Sequence, residues 1–443
     1  MENLKFRFLL LGLALALLAY SLDIPISAQA RIVMAITIFT GTLWFTEAMP
    51  LHVTALLSTL LLIVFASTNA TAAFSPYFSP TIVLFFGGFM VAQAMAKHGV
   101  DSQIAIALSS KFGTDPKWFL LGVMSATAFI SLWISNTSAA AIMLPIALYA
   151  ITKSKLKPHQ SNYAKSMVLG VAAAASIGGI GMVVGTPPNG IAVADLAKAG
   201  INVSFFDWAF YGFPFVVLFL PLAWFILTLV FPPEIKKLPI EQKAAEWTKD
   251  RKTIVAVMVL TIAVWVTSSI HNIADGAVAI GAVIALCALG FLETEDFSKI
   301  DWATLLLFGG GISLGAAIDS SGFGAYLGGL LGGMIAGQGM LFVLFAVGIF
   351  TVIMTLSASN TATAALIVPL VIPLAGAAGV GVKQLSVFAS IGTYLDFIFP
   401  VGTPPSAIAY STGYISVNDM IKSGVVITIC GIILLSIMAW LYW

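Results

Sequence analysis

Two short segments of this chain have the residue types to hold an ion: Ser135-Asn136-Thr137 and Ser359-Asn360-Thr361. They sit within ISNTSAAAIMLPI (134–146) and ASNTATAALIVPL (358–370), each followed at the same distance by a proline, Pro145 or Pro369. Side-chain oxygens and amides beside small residues, in strongly apolar surroundings, are the composition of a broken membrane helix that binds an ion. Their occurrence in both halves of one chain points to a transporter built from repeats.

A second duplicated motif follows each of these: Gly185-Thr186-Pro187-Pro188 and Gly402-Thr403-Pro404-Pro405. Two consecutive prolines cannot continue a helix, because each lacks an N–H and clashes with the preceding turn. Each motif therefore breaks an apolar span at mid-depth. The freed carbonyls can ligate a cation, and the start of the next half-helix, beside Asn189 or Ser406, offers N–H groups to an anion. A simple proline kink is the plainer reading of either motif alone, but the duplication and the accompanying SNT argue against it.

The four motifs contain hydroxyls, amides and backbone, and no Lys, Arg, Asp, Glu or His. Hard oxygen ligands suit an alkali cation and not zinc or copper. Hydroxyl and amide donors suit a carboxylate or sulfate. An anion at membrane depth needs countercharge. With no basic residue in the motifs, that charge must arrive with co-bound ions, and sodium is the natural choice. A two-fold site also suits a two-fold ligand, with one SNT at each end of a dianion.

The elements that must position these residues are membrane helices. The chain has 443 residues, 60% hydrophobic and 9% charged, with a mean hydropathy of +1.03. A bilayer accepts such a surface and water does not. The net charge of +1, with no basic block beside aromatics, points away from nucleic acid. Cys287 and Cys430 lie in apolar runs and form no disulfide framework. His52, His98, His159 and His271 share no metal-ligand spacing.

At about 20 apolar residues per span, we read eleven spans: 7–22, 30–47, 51–68, 81–97, 163–184 (continuing past a break to 199), 209–231, 253–270, 275–292, 302–319, 384–411 (also broken) and 421–443. Two apolar stretches of equal length remain, 117–152 and 340–375, each with SNT at its middle. They form either two short spans joined by an SNT loop or a re-entrant hairpin with SNT at its tip. The hairpin is favoured, since polar irregular backbone at membrane depth survives where it lines a cavity.

With the N-terminus in the cytoplasm, all but Arg31, Lys198 and Lys383 of the twenty Lys and Arg fall on the cytoplasmic side. These include Lys5, Arg7, Lys97, Lys299, Lys422 and the lysines of the 232–252 loop, Lys243 among them. The positive-inside rule favours this orientation and leaves Trp443 outside. An odd number of spans, five, separates the hairpins, so they enter from opposite faces. The fold is an all-α polytopic inverted-topology repeat, with halves at 30–231 and 253–443. The start also resembles a cleavable signal peptide, with Ala28-Gln29-Ala30 after the first apolar run; retention as an anchor is the expectation.

The paired SNT motifs with paired Gly-Thr-Pro-Pro breaks resemble the divalent anion/sodium symporter family, which includes INDY-type dicarboxylate transporters. The resemblance covers essentially the whole chain. It implies a homodimer with an elevator mechanism. The scaffold would be 1–112 (spans one to four) and 253–337 (spans seven to nine). The moving part would be 113–231 (first hairpin, spans five and six) and 338–443 (second hairpin, spans ten and eleven), with 232–252 as cytoplasmic linker. Carried over, the first sodium site would use Ser131, Ser135 and Asn136 with backbone near Gly185. The second would use Thr355, Ala358 and Asn360 with backbone near Gly402. Substrate would lie between Asn136, Thr137, Thr186 and Pro187 on one side and Asn360, Thr361, Thr403 and Pro404 on the other. Family members differ at the residue after the glycine, where this chain has Thr186 and Thr403.

Asp396 stands outside the repeat, since its counterpart is Gly179. It can tune a cation site, carry a proton, or be paired locally. Glu47 and Asp319 near span ends are expected to be interfacial or capping. FFGGF (85–89) and FGGGI (308–312) also repeat, and glycine there allows close packing; without a following Gly-Lys-Ser/Thr they are no phosphate loop.

The expected function is sodium-coupled import of C4-dicarboxylates (succinate, malate, fumarate) across the bacterial inner membrane, with sodium as the co-transported ion. An exchanger, or a citrate or sulfate transporter, is the alternative. An intramembrane serine protease built on Ser313 and His271 finds no support in the repeat symmetry, and a channel seldom needs two broken hairpins. No enzyme activity is expected.

Overall fold

The computed structural model describes residues 2–239, 247–335, 337–400 and 402–443, and every regular element among them is a helix. Lys243 and the middle of the expected 232–252 linker, Ala336, and Val401 in the second break lie outside the described residues. The first half contains α1 (Glu2–Ser21), α2 (Ala28–Thr46), α3 (Leu51–Phe65), α4 (Ala70–Phe74), α5 (Pro80–Lys97), α6 (Val100–Ser109), α7 (Pro116–Ser131), α8 (Asn136–Lys153), α9 (Asn162–Ile180), α10 (Pro187–Lys198) and α11 (Phe205–Val230). The second contains α12 (Lys249–Val266), α13 (Ser268–His271), α14 (Asp275–Ala288), α15 (Trp302–Ser320), α16 (Phe323–Ile335), α17 (Met340–Ser357), α18 (Asn360–Ala378), α19 (Val382–Gly392), α20 (Pro404–Ser411) and α21 (Val417–Leu441).

Each expected span falls on a helix or a broken pair of helices. Seven helical stretches among the described residues are long and apolar enough to cross a bilayer. The other four expected spans are α3 and α14, which are short, α12, whose first turn carries Lys249, Asp250, Arg251 and Lys252, and the broken pair α19 and α20. Besides the single-turn α4, two longer helices, α6 and α16, were not expected. Each stands between a span and the SNT stretch of its half. Their sequences hide them: α6 opens on Asp101, Ser102 and Gln103, and α16 is rich in glycine, a weak helix former.

The two SNT stretches are helix pairs. Asp115 caps α7, accepting from the Lys117 and Trp118 amides, with Pro116 in the first turn where its missing N–H costs nothing. The chain breaks after Ser131 and restarts when Ser135 accepts a hydrogen bond from the Ser138 amide at 3.2 Å. In the second stretch Ser359 does the same for Ala362 at 3.4 Å. In both motifs, then, the Ser is a helix cap and the Asn opens the second arm. The first hairpin packs on α9, which is nearly all buried, carries the run Ala172–Ala175 with Gly178 and Gly179, and is followed by Gly181. Small residues let these backbones approach closely.

Contacts repeat between the halves. The third span packs on the ninth (α3 on α15), and the fourth on the eighth (α5 on α14). The half-helix after the first break, α10, packs on α18 of the second hairpin, while the half-helix after the second break, α20, packs on α8 of the first. Each half thus completes the other's hairpin.

Polar anchors at the helix starts follow the same symmetry. Ser204 with Asp207 and Ser416 with Asp419 form capping boxes that open α11 and α21. Lys383 reaches Asp207 at 3.4 Å, and Lys165 reaches Asp419 at 2.9 Å. Each ion pair ties a span of one half to a span of the other. In the loop before α15, Asp296 meets Lys97 at 2.8 Å and Lys299 at 3.1 Å, and the bond from Lys97 holds its carboxyl well below the usual carboxylate range. Glu47 is the left-handed residue that ends α2, and Asp319 lies exposed in the last turn of α15.

Candidate ion and substrate site

Each hairpin tip builds a cluster of oxygens around one hydroxyl. Ser131 Oγ lies 2.9 Å from Asn136 Oδ1 and 2.6 Å from the Ala175 carbonyl oxygen. Thr355 Oγ1 lies 2.7 Å from Asn360 Oδ1 and 2.9 Å from the Thr393 carbonyl oxygen. A hydroxyl has one proton and faces two acceptors in each case. The clusters are therefore rich in lone pairs and short of hydrogens. Ser131 and Thr355 are fully buried, and Asn136 and Asn360 nearly so. A hard cation is the ligand that such neutral oxygens accommodate.

The breaks lie against these clusters. Gly185 is buried, and a Cβ there would fall 2.5 Å from the Gly179 carbonyl and 3.0 Å from that of Ser131. Only glycine allows this approach. Gly179 in turn packs directly against Asn136 Oδ1. Asn136 Nδ2 donates to Thr186 Oγ1 at 3.5 Å, and Thr186 Oγ1 hydrogen-bonds the Tyr394 hydroxyl. Tyr394 belongs to the second break, so this bond joins the two halves at the site. Asn189, which is fully buried, donates to the Gly179 and Met182 carbonyls at 3.0 and 2.8 Å. It ties the break to itself, and its amide N–H groups are not free for an anion. In the second break Thr403 caps α20, accepting from the Ser406 amide at 3.2 Å and donating to Ser406 Oγ at 2.9 Å.

The remaining expected residues sit at the rim. Ser135 and Thr137 are exposed at the first tip, Pro187 is half-buried at the start of α10, Ala358 and Thr361 are half-buried, Gly402 is half-buried, and Pro404 is exposed. A cavity of about 180 Å³ is lined by Ser135, Ser138, Thr186 and Pro187 on one wall and by Gln93, Lys299 and Asp301 on the other. The first-half motifs thus open toward the end of the molecule that carries Lys97 and Lys299. A larger cavity of about 860 Å³, lined by Ser79, Lys198, Ser204 and Asp275, contains none of the motif residues.

Three comparisons bear on this arrangement. The sequence model of the family described as the sodium:sulfate symporter transmembrane region matches residues 2–443. Among curated relatives, a sodium-dependent dicarboxylate transporter SdcS of Staphylococcus saprophyticus is 33% identical, over 96% of this chain and 89% of the relative. An uncharacterised transporter of Haemophilus influenzae is 32% identical, over 95% and 93%.

The chain belongs to the divalent anion/sodium symporter family.

It is accordingly a multi-pass membrane transporter and not an enzyme. Solved structures of the Alcanivorax borkumensis YdaH transporter (TM-score 0.60, 14% identity, covering 99% of this chain and 97% of that one) and of Neisseria gonorrhoeae MtrF (TM-score 0.61, 14% identity, covering 99% and 95%) share the fold.

Two buried groups escaped the sequence reading of this transporter. Tyr394 precedes the second Gly-Thr-Pro-Pro, but no pattern connects it to Thr186 in the other half. Asp195, on α10 within the continuation of span five, is buried with neither carboxylate oxygen hydrogen-bonded among the described residues, and it lines a small pocket with Lys198, Asp319 and Pro369. An acidic residue inside an apolar span was a visible signal.

Proposed function

We propose that this chain is a sodium-coupled secondary transporter that imports C4-dicarboxylates, with succinate, malate and fumarate as the candidate substrates. The observation that carries the reading is the pair of hydroxyl-centred oxygen clusters, one in each half, with no basic residue in either motif. Two cations bound there supply the countercharge a dianion needs at membrane depth. The name of the SdcS relative supports both the ion and the substrate class.

In this reading sodium occupies a first site of Ser131, Ser135, Asn136 and backbone near Gly185. A second uses Thr355, Ala358, Asn360 and backbone near Gly402. The dianion lies between Asn136, Thr137, Thr186 and Pro187 and their counterparts Asn360, Thr361, Thr403 and Pro404. The hairpins with spans five, six, ten and eleven move against the remaining seven spans as an elevator, in a homodimer in the bacterial inner membrane. The N-terminus is cytoplasmic and the C-terminus outside. The cavity beside Thr186 and Lys299 then faces the cytoplasm.

Radiolabelled succinate uptake into proteoliposomes tests the function. The expected result is uphill uptake driven by an inward sodium gradient, with lithium a poor substitute and citrate and sulfate weak competitors. Undiminished transport in sodium-free buffer, stimulated only by dicarboxylate inside the vesicles, would make the protein an exchanger.

A further inference from the structure

The second break carries a charged group that the first lacks. Asp396 is fully buried, and among the described residues its carboxylate oxygens have no side-chain partner and only the Ile398 amide close by. The carboxylate is packed on Gly402: a Cβ on that glycine would overlap Oδ2 and lie 2.8 Å from Oδ1. Asp396 stands three residues beyond Thr393, whose carbonyl belongs to the Thr355–Asn360 cluster. The repeat counterpart of Asp396 is Gly179, which packs against Asn136 Oδ1 in the first half. Both ion clusters are built from a hydroxyl, an asparagine amide oxygen and a backbone carbonyl, and only the second has a carboxylate in its break.

A buried carboxylate without a partner is strongly disfavoured: it either takes up a proton or is met by a cation. The ion pairs among the described residues use Asp23, Asp207, Glu293, Asp296 and Asp419, and none uses Asp396. The Thr355 hydroxyl, the Asn360 amide oxygen, the Thr393 carbonyl and a carboxylate make a hard-oxygen set of the kind alkali ions prefer.

We propose that Asp396 is an anionic ligand of the cation site in the second half, so that this site carries a fixed negative charge and the first does not. The inference rests on the sodium-coupled reading and sharpens it. The sodium held in the second half is neutralised by the protein, and the ion in the first half is the one left to balance the substrate. The second site binds sodium more tightly and fills first.

Purified full-length protein in detergent tests this without transport. Its thermal unfolding midpoint is measured against sodium chloride, with choline chloride as the ionic-strength control. In the wild type, sodium raises the midpoint at low concentration. Asp396→Asn keeps the shape and loses the charge, and it should require roughly tenfold more sodium for the same rise, the factor expected when a charged ligand becomes neutral. Asp396→Ser serves as a second neutral variant should the first fold poorly, and it should behave alike. Sodium titration of succinate uptake by the same variants should show the same shift in half-saturating sodium, whereas a mere folding defect would lower the maximal rate and leave that value alone. An unchanged sodium response in both variants, or no response to sodium in the wild type, overturns the assignment. Sodium-independent uptake by a wild type that still binds sodium would refute coupling while leaving Asp396 as a ligand.

Discussion

The two breaks start from the same motif and reach different structures. In the first half α9 stays helical to Ile180, and only Gly181–Thr186 separates it from α10. In the second half α19 stops at Gly392 and α20 starts at Pro404, and the described residues between them are not helical. A matching helix would have reached Phe397. The two copies also differ in sequence at this point. Pro400 stands where the first half has Val183. It removes an N–H and pushes Phe399 out of the helical region. Unwinding frees the Thr393 carbonyl and sets Asp396 in the irregular stretch, whereas Gly179 remains inside α9. A repeat can therefore preserve the position of an ion site while its two copies diverge in charge.

The largest test of that divergence is a carboxylate at each asparagine. Asn136→Asp adds a negative charge facing a dianion, and Asn360→Asp does so beside the carboxylate of Asp396. Both should cut succinate uptake more than the Ala variants do. Asn360→Asp should be the worse, by on the order of 100-fold against wild type, since like charges in a buried site oppose each other strongly. The measurement is initial uptake at matched expression. Normal transport by Asn136→Asp would remove that residue from the site.

Smaller effects are expected from the hydroxyls. Ser131→Ala and Thr355→Ala each remove a cation ligand and the group that orients an asparagine. The second site retains a carboxylate, so Thr355→Ala should raise half-saturating sodium roughly threefold and Ser131→Ala roughly tenfold, the range of one lost hydrogen bond. Equal shifts would mean that the two sites do not differ in strength.

The smallest effect concerns the bond between the breaks. Tyr394→Phe and Thr186→Val each delete it, at a cost of about 1 kcal/mol or a several-fold fall in uptake. If the bond couples the halves, the double variant should cost no more than the worse single one. Additive losses would show that each hydroxyl acts independently.

Much of this is legible in the sequence. The asparagines, the paired prolines and the apolar stretches around them are local signals, and local signals suffice to cap a helix with Ser135 or to stop one before Pro187. The eleven expected spans landed on helices for the same reason. The hidden parts were those without a local signature. Helices α6 and α16 have weak helical sequences and depend on the helices beside them. The ion pairs Lys165–Asp419 and Lys383–Asp207 join residues far apart in the chain, as does Thr186–Tyr394. Asn189 folds back on Gly179 and Met182, a fixing of the first break that its place after the prolines does not reveal.

By itself, the sequence determined the membrane class, the duplicated motifs, the helix breaks and the family resemblance, because hydropathy, proline geometry and residue spacing act over a few turns. Only the tertiary structure decided that each half-helix completes the other half's hairpin. It also decided that one hydroxyl faces two acceptors in each cluster, and that the odd aspartate lies against Gly402 with no cationic side chain among the described residues to pair it. Those are relations between surfaces distant in sequence, and packing alone brings them into contact.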